Sequence, residues 1–260
     1  MSLTLVATLL VLGGIGGFAA GFLGLGGGVL LFPLLLYVPP LLGLESLDVR
    51  TVAALVICQV FFATLIGGTA HWRSGRVHAR LTLVGALNAA SGSLVGGIAS
   101  QWVSEWFLLL LFGVVTLLAA GMMFLPAPSA DRENIPVQRV VVPLVPLSVL
   151  SGATGIVVGF LGAGNFIFVP VQIYLLKVPT RIAIGSNLAI AVLSTFSGFF
   201  GKLITGQIPF LMTVPVVIGA GLGALAGERS HGRVSPRFLR YVYAGVIGAI
   251  TVRVWITLLS

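Results

Sequence analysis

GFLGLGGGVLLFP, Gly21 to Pro33, is the stretch whose reading decides the fold. An apolar segment that starts at Leu3 is broken here by five glycines, and a short apolar run resumes before Pro39-Pro40. In hydrocarbon every backbone N–H and C=O needs a partner, so a glycine break is tolerated only where it lines a cavity or is covered by protein. A second break, GFLGAGNFIFVP, occupies Gly159 to Pro170. Paired breaks at corresponding places in two halves point to a transporter site.

The composition sets the class around these breaks. Of 260 residues, 58% are hydrophobic and 8% charged, with a mean hydropathy of +1.15. A soluble domain carries about 25% charged residues, so this chain reads as an all-α polytopic membrane protein. Cys58 is the one cysteine, which excludes an internal disulfide framework and a cysteine zinc cluster. The net charge of +8 sits mostly in short connections, which fits topology signalling and contact with lipid headgroups rather than nucleic acid. The start, MSLTLVATLL, lacks a basic leader region and reads as an uncleaved first helix.

Spans of about 20 apolar residues are expected at Leu3–Phe22, Thr51–Ala70, Leu81–Ser100 and Trp106–Leu125. Val29–Val38 is too short to cross alone, unless it runs through Pro39-Pro40 to Leu44. After the polar linker Pro126–Arg139 the order returns: Val140–Phe160, the short Phe166–Leu176, then Ile182–Leu203, Phe210–Gly227 and Phe238–Leu259. Residues align between the halves. Gly21, Gly24 and Gly26 match Gly159, Gly162 and Gly164 at an offset of 138, and Pro33 matches Pro170 at 137. From the third segment the offset is 131, pairing Arg50, Gly67 and Gly96 with Arg181, Gly198 and Gly227. The expected organisation is a first repeat, 1–125, a cytoplasmic linker, 126–139, and a second repeat, 140–260, each of about five helical segments.

Charge placement chooses between parallel and inverted repeats. If each broken pair of segments enters and leaves on one side, the halves are inverted. Arg50, Lys202 and Arg253 then fall on one side and the other 11 of the 14 basic residues on the opposite side. If each pair crosses once, the halves are parallel and the split is 7 to 7. The positive-inside rule favours inversion, with both termini outside a plasma (inner) membrane.

A broken helix exposes the N–H groups of the half-helix that follows, and its positive end favours an anion. Gly24, Gly26, Gly27 and Gly28, with Gly162, Gly164 and Asn165, are therefore the leading substrate-binding candidates, brought together near the midplane by inversion. Gln59, Ser186 and Asn187 are polar donors inside spans; each either lines the path or bonds a neighbouring helix. Thr64 and Thr195 are expected to bond their own helix carbonyls. Spacings such as Gly13/Gly17/Gly21 and Gly219/Gly223/Gly227 read as packing stripes. No Asp or Glu falls inside an expected span, and no catalytic constellation, metal cluster or cofactor motif is visible, so an intramembrane enzyme is the weakest reading.

At GFLGLGGGVLLFPLLL (Gly21 to Leu36), GFLGAGNFIFVPVQIY and RIAIGSNLAI (Arg181 to Ile190) the chain resembles the TauE/SafE sulfite exporter family. The resemblance covers nearly the whole length. It implies a permease for a sulfur oxyanion or organosulfonate, with the two repeats rocking about the site. An anion channel, or a permease for another small anion or organic acid, is the alternative. Asn165 stands where the family pattern has glycine and one further glycine is missing, so a side-chain amide is expected to replace a backbone donor there. The expected partners are a small anion and the bilayer; a homodimer is left open.

Overall fold

The computed structural model describes residues 1–23, 27–72, 77–123, 137, 140–231 and 236–259. They form ten helices and, among the described residues, no strand. In the first half these are α1 (Leu3–Leu23), α2 (Gly28–Leu41), α3 (Val49–Trp72), α4 (Ala79–Ala99) and α5 (Glu105–Met123). The second half has α6 (Leu144–Leu161), α7 (Asn165–Pro170), α8 (Thr180–Ile204), α9 (Phe210–His231) and α10 (Pro236–Leu259). A π-helical turn, Val171–Leu175, continues α7. Seven helices are long and apolar enough to cross a membrane, and α2 and α7 with its π turn are shorter. This is a multi-pass membrane protein. The longer version of the second segment is the one formed: α2 runs through Pro39 and Pro40 and ends where the Leu42 N–H meets the Val38 and Pro39 carbonyls.

Lipid cannot drive helices together by the hydrophobic effect, so close backbone packing must do it. Two helix pairs supply it. Methyl groups on Gly13, Gly17 and Gly21 of α1 would collide with the carbonyls of Val216, Ala220 and Ala224 of α9. Gly219, Gly223 and Gly227 return the contact on Leu10, Gly14 and Phe18. In the same way Gly155 and Gly159 of α6 lie on Ala89 and Ser93 of α4, and Gly92 and Gly96 lie on Gly152 and Ile156. Each pair joins the first helix of one half to the fourth of the other, so the halves interlock.

Between these pairs α3 crosses α8. Ile57 reaches Gly198, the Phe61 ring lies 5.5 Å from that of Phe196, and past the end of α3 the His78 N–H, at the start of α4, bonds the Ser186 hydroxyl near the start of α8. Rising numbers on one side meet falling numbers on the other, so α3 and α8 run antiparallel. Glu105, opening α5, accepts the Val49 N–H and caps α3. Lys202, counted above with the charges at a helix end, lies in the last turn of α8 but is fully buried.

The glycine contacts give a stability prediction. Gly17→Ala and Gly155→Ala are each expected to cost about 1–3 kcal/mol by overpacking. Gly121→Ala, whose new methyl would meet nothing within 4 Å, serves as the neutral control. Thermal unfolding in detergent, followed by size exclusion, should show lower midpoints for the first two variants only.

Candidate functional site at the two broken helices

The first break ends at Gly27. Its φ of 65° is left-handed, and its carbonyl accepts the Leu30 and Leu31 N–H groups, opening α2. Only glycine takes this conformation without strain. Gly28 follows, pressed on α3: a Cβ there would lie 2.7 Å from Val60 and 3.0 Å from Val56. Gly24 and Gly26 lie outside the described residues.

The second break begins at Gly162, also left-handed at φ 71°, where α6 closes with a 2.7 Å bond from its N–H to the Val158 carbonyl. A Cβ at Gly162 would lie 2.5 Å from the Ala53 carbonyl of α3. Gly164 is extended; it must be small because Val158 packs 2.9 Å from where its Cβ would stand. Both breaks therefore use α3 as their floor. They also meet: a Cβ on Gly28 would be 3.1 Å from that of Ala163. The start of α2 and the start of α7 converge.

Asn165 opens α7 at this junction and is 3% exposed. Its Oδ1 accepts the Ser194 hydroxyl at 3.2 Å, and its backbone carbonyl accepts the Asn187 amide at 3.3 Å. Its own Nδ2 has no partner, nor has the Asn187 Oδ1. Gln59 on α3 is fully buried with neither amide atom bonded. It sits beside Val60 and three residues from Val56, the two side chains that meet Gly28. A buried unpaired amide costs roughly 1–3 kcal/mol, so several in one region need a reason.

The structure thus brings Gly27, Gly28, Gly162, Gly164, Asn165 and Asn187 into one region, with Gln59 on the helix that forms its floor. Ser186 is engaged differently: its hydroxyl holds the His78 backbone, away from the junction. That bond lies beside a cleft of about 510 Å³ between His78–Arg80 and Val140–Val142. Thr64 and Thr195 bond the carbonyls of Val60 and Ala191 in their own helices, as expected.

Two site candidates were not singled out from sequence. Ser194 lies seven residues after Asn187 on α8, two helical turns along the same face, and that spacing was the available signal. Gln172 is fully buried in the π turn with both amide atoms unbonded, and the only hint was an isolated amide in an apolar run.

The sequence matches the sulfite exporter TauE/SafE family over residues 9–254. The chain belongs to that family. Similar proteins include a probable membrane transporter protein of Xylella fastidiosa (strain Temecula1), 31% identical over 95% of both chains. The probable membrane transporter protein YjnA of Bacillus subtilis is 28% identical over 89% of this chain and 92% of its own. The probable membrane transporter protein MJ0441 of Methanocaldococcus jannaschii is 20% identical over 95% of this chain and 94% of its own. No solved structure matches. Membership in this family makes the chain a membrane transporter.

The orphaned amide of Gln59 yields a prediction about stability. Replacing an unsatisfied buried polar group by an apolar one of similar shape removes its desolvation penalty. Gln59→Leu should raise the thermal midpoint of the ligand-free protein, by an amount corresponding to about 1–2 kcal/mol. A lowered midpoint would mean that Gln59 has a structural partner.

Proposed function

We propose that the protein is a permease that moves a small sulfur oxyanion or organosulfonate across the plasma membrane, exporting it by alternating access. The observation that carries this reading is the junction of the two breaks. There Ala163 meets the α2 start at Gly28, and two residues on the Nδ2 of Asn165 is buried without a partner. Amide N–H groups, and the positive end of a 14-residue helix, suit an anion that has shed its water. The Asn187 amide, held on the Asn165 carbonyl, fixes the start of α7 in place. Family membership supports the substrate class.

Inverted repeats, 1–125 and 140–260, are part of the same reading. The antiparallel course of α3 and α8, which correspond at the offset of 131, is what inversion requires. The 11-to-3 split of basic residues puts both termini outside. The cleft beside His78 and Arg80 then faces the cytoplasm, and its basic rim favours anion entry there. Outward movement of an anion gains about 2.3 kcal/mol per charge per 100 mV of inside-negative potential, so export needs no coupled ion.

The glycine contacts refine which bodies move. Rocking of half against half would pull apart α1 from α9 and α4 from α6, whose backbones touch. The units that can rock intact are α1, α2, α3 and α9 against α4, α6, α7 and α8. They are unequal in this conformation. At the α4–α8 contact a Cβ on Gly97 would lie 2.8 Å from the Gly198 carbonyl, whereas α3 meets α9 through the Ile66 side chain on Gly221.

Purified protein in liposomes loaded with sulfite should release it faster under an inside-negative potential. Asn165→Ala and Asn187→Ala should each lower the flux about tenfold or more, the loss of one or two hydrogen bonds to a charged ligand. Wild-type flux in both variants would rule out this site. The topology is checked separately with reporters fused after the last residue. Alkaline phosphatase should be active and green fluorescent protein dark; the opposite pattern would overturn the inverted arrangement.

A further inference from the structure

Lys202 has been counted so far only as a charge on one side of the membrane, yet its side chain is costly to bury. It is fully buried in the last turn of α8. Its Nζ donates to the Ser100 hydroxyl at 2.7 Å and to the Gln207 Oε1 at 3.3 Å. Both partners are neutral. An ammonium carries three donors, and two are accounted for. Among the described residues no carboxylate lies against it, and the charged side chain close enough to act on it, Arg50, has the same sign. The Gln207 amide is itself fixed, donating to the Gly97 carbonyl at 2.9 Å and to the Thr205 hydroxyl at 2.6 Å. Ion burial without a counter-charge is expensive, and an intramembrane cation is retained where it serves a path or a partner.

Its place in the fold says which. On α8, Asn187, Ser194, Gly198 and Lys202 recur at spacings of seven, four and four, which is one helical face. On α4, Ser93 and Gly97 are four apart, and Ser100, which caps the helix, follows three later on the same face. The two rows face each other. Gly198 has no side chain where the Ser93 hydroxyl points, Gly97 lies on the Gly198 carbonyl, and Ser100 bonds Lys202. The Ser93 hydroxyl is buried and has no partner. A line of small and polar groups thus leads from Asn165, bonded to Ser194, to the ammonium.

We propose that Lys202 is an anion-binding residue, the second station on the path that starts at Asn165. It lies where α4 and α8 end and receives the same class of small oxyanion. The proposal rests on the anion-permease reading above. In the ligand-free chain the neutral oxygens of Ser100 and Gln207 hold the ammonium, and an arriving oxyanion supplies the missing charge. The competing account is structural. The C-terminal ends of α4 and α8 meet here, and their negative dipole ends favour a lysine without any ligand.

The two accounts separate on Gln207→Glu. This change places a carboxylate beside Nζ, leaving the lysine and adding an internal counter-ion. Isothermal titration of the purified full chain with sulfite, thiosulfate and taurine is the measurement, with folding followed by size exclusion and thermal unfolding. The anion that binds the wild type should bind Gln207→Glu and Lys202→Gln about tenfold or more weakly, while Lys202→Arg stays within about threefold, as an interaction set by charge requires. Gln207→Glu gives up the amide's bond to the Gly97 carbonyl but keeps the lysine, and once size exclusion shows it folded it decides the matter where Lys202→Gln does not fold. Folded Gln207→Glu with wild-type affinity overturns the proposal and leaves the permease reading intact. A lysine-dependent affinity for thiosulfate or taurine but none for sulfite supports the proposal and removes sulfite as the substrate. If the wild type binds none of the three, both readings fall.

Discussion

Everything in this fold depends on backbone-to-backbone contact at glycine. In lipid a helix gains little by burying leucine against leucine, so affinity between helices comes from how closely their main chains approach. Here α1 meets α9 and α6 meets α4 through carbonyls that leave no room for a methyl group. Each contact joins the two halves of the chain. The interlock has a consequence for the breaks. The first lies between α1 and α2, the second between α6 and α7, and with both first helices locked to the opposite half, the breaks fall on the shared floor of α3. Gly28 on Val56 and Val60, and Gly162 on Ala53 and Ile57, are the points of contact. The convergence at Gly28 and Ala163 follows from the packing of helices whose glycines lie up to four turns away.

That packing leaves a polar deficit where the breaks meet. Gln59, the Asn165 Nδ2 and the Asn187 Oδ1 are buried with no partner. Elsewhere in the same bundle some polar groups are satisfied at short range: Thr64 on Val60, Thr116 on Phe112, Ser151 on Leu147. The Thr82 and Ser93 hydroxyls and the Gln172 amide share the deficit, so it is not confined to the junction. Unpaired amides on α3, α7 and α8 cost the fold stability, and under the proposed function a bound anion would restore it.

How much of this was legible beforehand depended on what each residue type reveals. The glycine breaks could be read because a run of glycines in an apolar segment is anomalous whatever its surroundings. Asn165 and Asn187 could be read because an amide within a span is rare. The partners of the glycine stripes could not. Gly13, Gly17 and Gly21 mark a packing face, but nothing in them names Val216, Ala220 and Ala224 as what lies opposite. The burial of Lys202 could not be read for a related reason. Near the end of an apolar run, a lysine that snorkels to headgroups and one folded inward onto Ser100 look alike. The helices are apolar on most faces, so periodicity, which marks the buried side of a soluble helix, carries little direction here. Ser194 and Gln172 went unmarked on that account. The extension of α2 through Pro39-Pro40 was open in the sequence, because prolines near a helix end forfeit N–H groups that a longer helix would need and a shorter one would not.

The second break differs from the first in a way that makes chemical sense only with its neighbours. Where glycine offers a backbone N–H alone, Asn165 adds an amide whose oxygen is tied to Ser194 and whose nitrogen is free. The tie matters more than the extra donor. An unrestrained asparagine would lose side-chain freedom on binding, whereas one already fixed through Oδ1 presents its N–H groups without that cost. The single Ser194 proton is within reach of both Asn165 Oδ1 and the Ala191 carbonyl, each at 3.2 Å, so the anchor belongs to α8 itself. Any movement of α8 relative to α3 therefore carries Asn165 with it, away from Gly28 on the opposite unit. In the proposed permease the site would lie across the boundary between the two units. A ligand bridging both sides would hold them together, and separation would release it.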